Sequence, residues 1–126
     1  MLLSLWAVSC ATSYPALIQT SMNTALGLKD YCEQNGIRTS RTREAGELIA
    51  QGQKLLQDEY AEEDAAYSSF DRAALMYRLA IAEREYAASQ ERLTRAQKAL
   101  SETRLELEAY QERLRKLRLP IEESNL

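Results

Sequence analysis

The sequence predicts an all-α fold in which a helical hairpin is followed by a long coiled-coil helix. The 126 residues include only 4 Gly and 2 Pro, far fewer than the turns of a β sandwich or barrel require. Beyond the first few residues, apolar side chains recur at spacings of three and four, which is the period of a helix. A chain of this length is expected to form one domain.

The first helix is predicted over about residues 15–34. Pro15 is favoured in a first helical turn, and the pair Asn35-Gly36 is a typical stop signal. Four apolar residues between these signals share one face: Ile18, Met22, Ala25 and Cys32. A single cysteine in such a position is typical of a small core residue.

The second helix is predicted over about residues 41–58, with Thr39-Ser40 as its cap. Its face repeats at helical spacing through Ala45, Leu48, Ile49, Gly52, Leu55 and Leu56. We expect this face to pack on the first helix. The turn that follows is placed in the acidic run 58–64, because the chain has no Gly or Pro between Gly52 and Pro120.

The acidic run does not have the spacing of a calcium loop. With Asp58 as the first position, Glu63 and Ser69 stand where an EF-hand needs a glycine and a bidentate glutamate. Carboxylates at the start of a helix instead favour its macrodipole. We therefore predict no metal site.

The third helix, predicted over residues 64–118, has the most regular pattern in the chain. One apolar residue recurs every seventh position and forms the apolar stripe: Leu79, Tyr86, Leu93, Leu100, Leu107 and Leu114. The positions three residues further on are Ala82, Ser89, Ala96, Thr103, Tyr110 and Leu117. This alternation is typical of a coiled coil, although a helix packed in an ordinary bundle, with the first two helices folded back along the stripe, is the alternative.

The end of the third helix is predicted from Pro120, which is expected to close it and to leave residues 119–126 as a flexible tail. A basic cluster precedes the proline and consists of Arg113, Arg115, Lys116 and Arg118. Cations stabilise a helix C-terminus, and no aromatic residues alternate with these cations as in a nucleic-acid surface. The cluster is interpreted as a solvated helix end.

The N-terminal 28 residues contain no charge, and they begin with a short apolar run. Leu2 to Val8 is too short to span a membrane but has the form of a secretory signal. The residues Ala7-Val8-Ser9-Cys10 resemble a bacterial lipobox, which implies a signal peptide over 1–9 and a diacylglycerol on Cys10. The alternative is a short buried N-terminal segment with an incidental cysteine.

Three segments resemble a family of small bacterial helical lipoproteins of unknown function. They are Cys10 to Pro15, Leu55 to Tyr60 and Tyr77 to Glu83. In that family the domain is sometimes found ahead of an OmpA-like peptidoglycan-binding domain. The resemblance implies a periplasmic, outer-membrane-tethered helical protein and supplies no catalytic residue.

The composition restricts the chemistry that the chain could perform. It contains no His, so Ser-His-Asp catalysis and His-ligated zinc are excluded. We expect no enzyme activity, catalytic residue, cofactor, nucleic acid or small-molecule substrate. The expected partners are the membrane, through the lipid anchor, and either a second copy or another helical envelope protein. The alternative function is a cytoplasmic coiled-coil scaffold or oligomerisation module with an uncleaved N-terminus.

Overall fold

The computed structural model describes residues 14–58 and 61–125. These residues form three α-helices and no strand: α1 (Tyr14–Gln34), α2 (Ser40–Gln57) and α3 (Glu63–Ser124). The two shorter helices pack against the third, which is 62 residues long. The predicted all-α fold class is therefore confirmed. The chain divides into two units, Met1–Arg84 and Glu85–Leu126.

Helix α1 ends at the predicted stop signal. The Ile37 amide donates to the Cys32 carbonyl at 2.8 Å, and the Gly36 amide donates to the Glu33 carbonyl at 3.2 Å. This is the hydrogen-bond pattern of a Schellman motif, which needs a residue in the left-handed region. Gly36 meets that need with a φ of +64°. Ile37 is buried behind the turn and anchors it to the core.

Helix α2 begins with a reciprocal capping box. The Thr39 side chain accepts from the Thr42 amide at 3.3 Å, while the Thr42 hydroxyl accepts from the Thr39 amide at 2.9 Å. Two amides that the helix cannot pair are thereby satisfied. The predicted acidic turn is also found, since α2 ends at Gln57 and α3 begins at Glu63.

The core of the first unit is built by all three helices. Helix α1 buries Ile18, Ala25 and Cys32, whereas α2 buries Ala45, Ile49 and Gly52. The largest share comes from α3: Ala66, Phe70, Ala73, Ala74, Tyr77 and Ala80. The hairpin therefore does not complete its core alone. The heptad pattern of the sequence did not predict a core role for this face of α3.

Helix α2 runs antiparallel to α3 at close range. A Cβ on Gly52 would lie 2.8 Å from Cε1 of Phe70, and a Cβ on Gly46 would lie 3.7 Å from the Tyr77 hydroxyl. The first distance is shorter than van der Waals contact, so only a glycine lets the fully buried Phe70 ring approach the α2 backbone.

Two polar contacts of α3, at the end of the first unit, link it to α2 and to the end of α1. The Arg41 Nε donates to Oε1 of Glu83 at 2.8 Å, which links α2 to α3. The Arg84 Nη1 donates to the Asn35 carbonyl at 2.7 Å, which links α3 to the end of α1. Both contacts are exposed, so each contributes at most about 1 kcal/mol. Both contacts follow from the helix register that the buried side chains set.

The predicted helix end at residue 118 is wrong, because α3 continues through Pro120 to Ser124. Proline fixes φ near the helical value, but it removes one N–H donor and its ring crowds the carbonyl four residues earlier. Close to a helix end, that loss affects a single backbone hydrogen bond and leaves the next turn in place. The residues expected to form a tail, 119–126, are thus helical as far as Ser124.

We predict that Gly52→Ala lowers the thermal unfolding midpoint. The added methyl overlaps the Phe70 ring, and overpacking of this kind costs about 1–3 kcal/mol, more than the gain in helix propensity, which is at most about 1 kcal/mol. Gly27→Ala is the matched control, because nothing lies within 4 Å of its Cβ position. That variant should be slightly stabilised. Equal midpoints for the two variants would contradict the close packing.

Candidate association surface

The apolar stripe is exposed to solvent along the second unit. Tyr86, Leu93, Leu100, Leu107 and Leu114 are each more than half exposed, between 52% and 68%. Among the described residues of this unit, only Glu112 is partly buried. A helix that buries none of its leucines gains little from the hydrophobic effect, which normally supplies most helical stability. The stripe therefore has no partner among the residues that the structure describes.

Within the first unit, the bundle and the stripe use different faces of α3. Tyr77 is 2% exposed and faces α2, while Leu79 is 39% exposed. Two residues along a helix correspond to about 200°, so these side chains point nearly in opposite directions. Leu75, one turn before Leu79, is 52% exposed. The alternative in which α1 and α2 cover the stripe is therefore not realised in this unit.

The ion pairs of the second unit lie away from the stripe. In heptad notation, with the stripe as position a, all of them join positions b, c and f. They are Glu91 with Arg95, Lys98 with Glu102, and Glu112 with both Arg115 and Lys116. Exposed pairs three or four residues apart each add a few tenths of a kcal/mol to a helix. The outer face is thus internally neutralised.

The charges at position g, directly beside the stripe, are arranged differently. The side chains of Glu85, Arg92 and Glu106 make no hydrogen bond or ion pair within the described residues. Arg113 lies over the Tyr110 ring, with its guanidinium carbon 5.7 Å from the ring centroid. These four side chains therefore remain available to a partner that covers the stripe.

The C-terminal basic cluster is largely engaged within its own helix. Arg115 donates to both carboxylate oxygens of Glu112 at 2.9 and 3.0 Å, and Lys116 lies 3.8 Å from one of them. The hydrogen bonds from Arg115 lower the pKa of the Glu112 carboxyl and raise that of the Arg115 guanidinium. Two of the four cations are thus already paired with an anion. The cluster is exposed to solvent, but it precedes the last turn of α3, which continues to Ser124, so the prediction that it forms the helix end is wrong.

A cleft in the first unit is the other place where reactive groups meet. It is lined by Cys32, Tyr77, Glu33 and the cations Lys29, Arg38 and Arg43. Burial raises the pKa of the Cys32 thiol, and burial together with the nearby Cys32 and Glu33 raises that of the Tyr77 phenol. An activated nucleophile needs the opposite shift. Cys32, which is 1% exposed, therefore packs as the small core residue predicted from the sequence.

Neither a metal-binding cluster nor a membrane-spanning helix is found among the described residues. No group of three or more Cys, Asp or Glu side chains there could hold a metal ion. No helix there combines the length and apolar character needed to cross a bilayer. The predicted lipid-attachment residue, Cys10, and the predicted signal peptide lie outside the described residues.

The chain was also compared with known proteins. No protein-family model, curated protein or solved structure matches it. The resemblance to small bacterial lipoproteins stays a prediction, and any function has to be argued from the residues themselves.

We predict that the first unit loses stability as the pH rises above about 9. The pKa values of Cys32 and Tyr77 lie above their ordinary values of 9.0 and 10.0. Between the unfolded and folded pKa values the unfolded chain has released the proton and the native chain has not, so the free energy of unfolding falls with pH.

Thermal unfolding of wild type and Tyr77→Phe between pH 8 and pH 11 measures this effect. Tyr77→Phe should flatten the decline, because the phenylalanine ring has no proton to lose. Tyr31→Phe is the control, since Tyr31 is 46% exposed. If Tyr31→Phe flattened the curve as much, the buried phenol would not be the cause.

Proposed function

We propose that this protein is a non-enzymatic, lipid-anchored protein of the bacterial cell envelope that acts through helix-mediated association. Its role is structural or that of an adaptor, on the periplasmic side of the outer membrane. The observation that supports this role best is the exposed apolar stripe of the second unit, which extends from Tyr86 to Leu114 and is not covered by any other described part of the chain.

The energetics of the stripe favour association over exposure. Burying a leucine side chain contributes about 1.5–3 kcal/mol, and the stripe contains several leucines that are each more than half exposed. Each ion pair of the outer face contributes only a few tenths of a kcal/mol to stability. A partner that covered the stripe would therefore gain most of its affinity from the leucines.

The membrane anchor rests on the lipobox-like residues Ala7-Val8-Ser9-Cys10. A diacylglycerol on Cys10 would add two acyl chains, and two chains give stable membrane attachment where one gives only marginal binding. Such an anchor would place the helices at a membrane surface and restrict the partners to proteins of the same compartment.

We expect acylation to depend on Cys10. Intact mass and detergent-phase partition should show a lipid-modified chain that lacks residues 1–9 in wild type, and an unmodified, water-phase chain in Cys10→Ser. A wild-type mass that retains Met1 to Ser9 without lipid would contradict the anchor and favour the cytoplasmic scaffold.

We expect association in cells to depend on the stripe. A photo-crosslinking residue in place of Gln97, beside the stripe, should give crosslinked species that are lost on Leu100→Lys, because the lysine places a charge in the contact. Leu105→Lys is the matched control, since Leu105 is 64% exposed and lies on the outer face. Equal crosslinking in both variants would contradict association through the stripe.

A further inference from the structure

We infer that the occupant of the stripe is a second copy of this chain, bound antiparallel, with Ala99 of the two copies facing each other at the dyad. The inference rests on the proposed association through the stripe and names its partner. Three features of the second unit lead to it: the alternation of side-chain size, the charges beside the stripe, and the lack of a partner for Glu85, Arg92 and Glu106 within the described residues.

Side-chain size favours the antiparallel orientation. The a positions are large throughout, whereas most d positions before Tyr110 are small: Ala82, Ser89, Ala96 and Thr103. A parallel pair would stack large residues on their own copies and then small residues on theirs, which makes the interface alternately crowded and empty. An antiparallel pair places each a beside a d of the partner. Leu100 then packs on Ala96, and Leu93 on Thr103.

The charges beside the stripe are complementary in the same register. An antiparallel pair brings g positions opposite g positions. Glu85 then faces Arg113, and Arg92 faces Glu106, each contact occurring twice by symmetry. Within the described residues, only Arg113 of these four side chains has a partner, the Tyr110 ring. The other three are free to pair across the dyad, whereas the ion pairs of the outer face are already complete.

The opposite flank of the stripe contains no conflict in this register. Its e positions place Gln97 opposite its own copy and Gln90 opposite Arg104. Two glutamine amides can donate to and accept from each other, and the Gln90 amide oxygen can accept from the Arg104 guanidinium. No like charges meet on this flank near the dyad.

Alternative pairings are penalised by the same charges. Moving one helix by a heptad places Arg92 on Arg113 in one direction and Glu85 on Glu106 in the other. A parallel pair matches Arg92 and Glu106 with glutamines and gains no ion pair from them. Like charges that meet beside the apolar core destabilise the shifted registers, and they leave the stability of the register centred on Ala99 unchanged. The antiparallel register centred on Ala99 is therefore better matched in charge than either one-heptad shift or the parallel pair.

Sedimentation equilibrium of the full chain tests self-association. Wild type should be a dimer at tens of micromolar. Arg92→Glu should raise the dissociation constant about tenfold, because two attractive contacts become repulsive. Glu106→Arg should raise the dissociation constant by a similar factor. The double variant Arg92→Glu/Glu106→Arg should return it to the wild-type value. Arg95→Glu makes the same change on the outer face and should alter it less than about twofold. A monomeric wild type would overturn the inference.

Disulfide formation tests the orientation in a Cys10→Ser background that retains the buried Cys32. Ala99→Cys should crosslink two copies, whereas Ser89→Cys should not, because residue 89 faces Leu107 of the other copy. The reverse result would indicate a parallel pair and would overturn the inference.

The two proposals can fail separately. A lipid-modified chain whose stripe crosslinks in cells, but which is monomeric when purified, would retain the proposed function and show that another protein covers the stripe.

Discussion

The close approach of α2 to α3 at Gly52 and Phe70 is the contact on which the first unit depends. The Phe70 ring is fully buried and lies where a side chain on residue 52 would be. This contact brings the two backbones together along a row of alanines. The same register places Arg41 beside Glu83 and Arg84 beside the end of α1. Small residues thus determine helix spacing, and polar contacts at the end of the bundle follow from it.

The use of one α3 face by the bundle has a consequence for the stripe. Because Phe70 and Tyr77 face the core, Leu75 and Leu79 of the same unit are left exposed. In the second unit the stripe is exposed as well, and ion pairs occupy the outer positions of the helix. The second unit therefore has two different faces. On the outer face the charges form ion pairs, whereas the charges that flank the apolar stripe are largely unpaired within the described residues. That separation is the physical basis of the association proposed for this protein.

The candidate surface was largely predictable from the sequence, because a seven-residue repeat is visible without knowledge of tertiary contacts. The core-facing side of α3 was harder to recognise. Its residues follow helical spacing from Ala66 to Ala80, but most of them are alanines, which indicate burial weakly. Leu75 and Leu79 indicated burial more strongly, but they lie on the opposite face of α3, which carries the stripe and is exposed. Phe70 and Tyr77 are two helical turns apart, and this spacing could have identified the face of α3 that packs in the core.

The sequence by itself determined the helices and most of their ends. Gly36 acts through local backbone hydrogen bonds, and Thr39 acts through reciprocal bonds between the side chains and amides of Thr39 and Thr42. Their effects on α1 and α2 therefore need no distant contact. The tertiary structure decided which face of α3 is buried, because two apolar faces compete and only packing against α1 and α2 distinguishes them. It also placed a glycine against an aromatic ring, since close approach of two helices is a property of the pair and is not encoded in either segment alone.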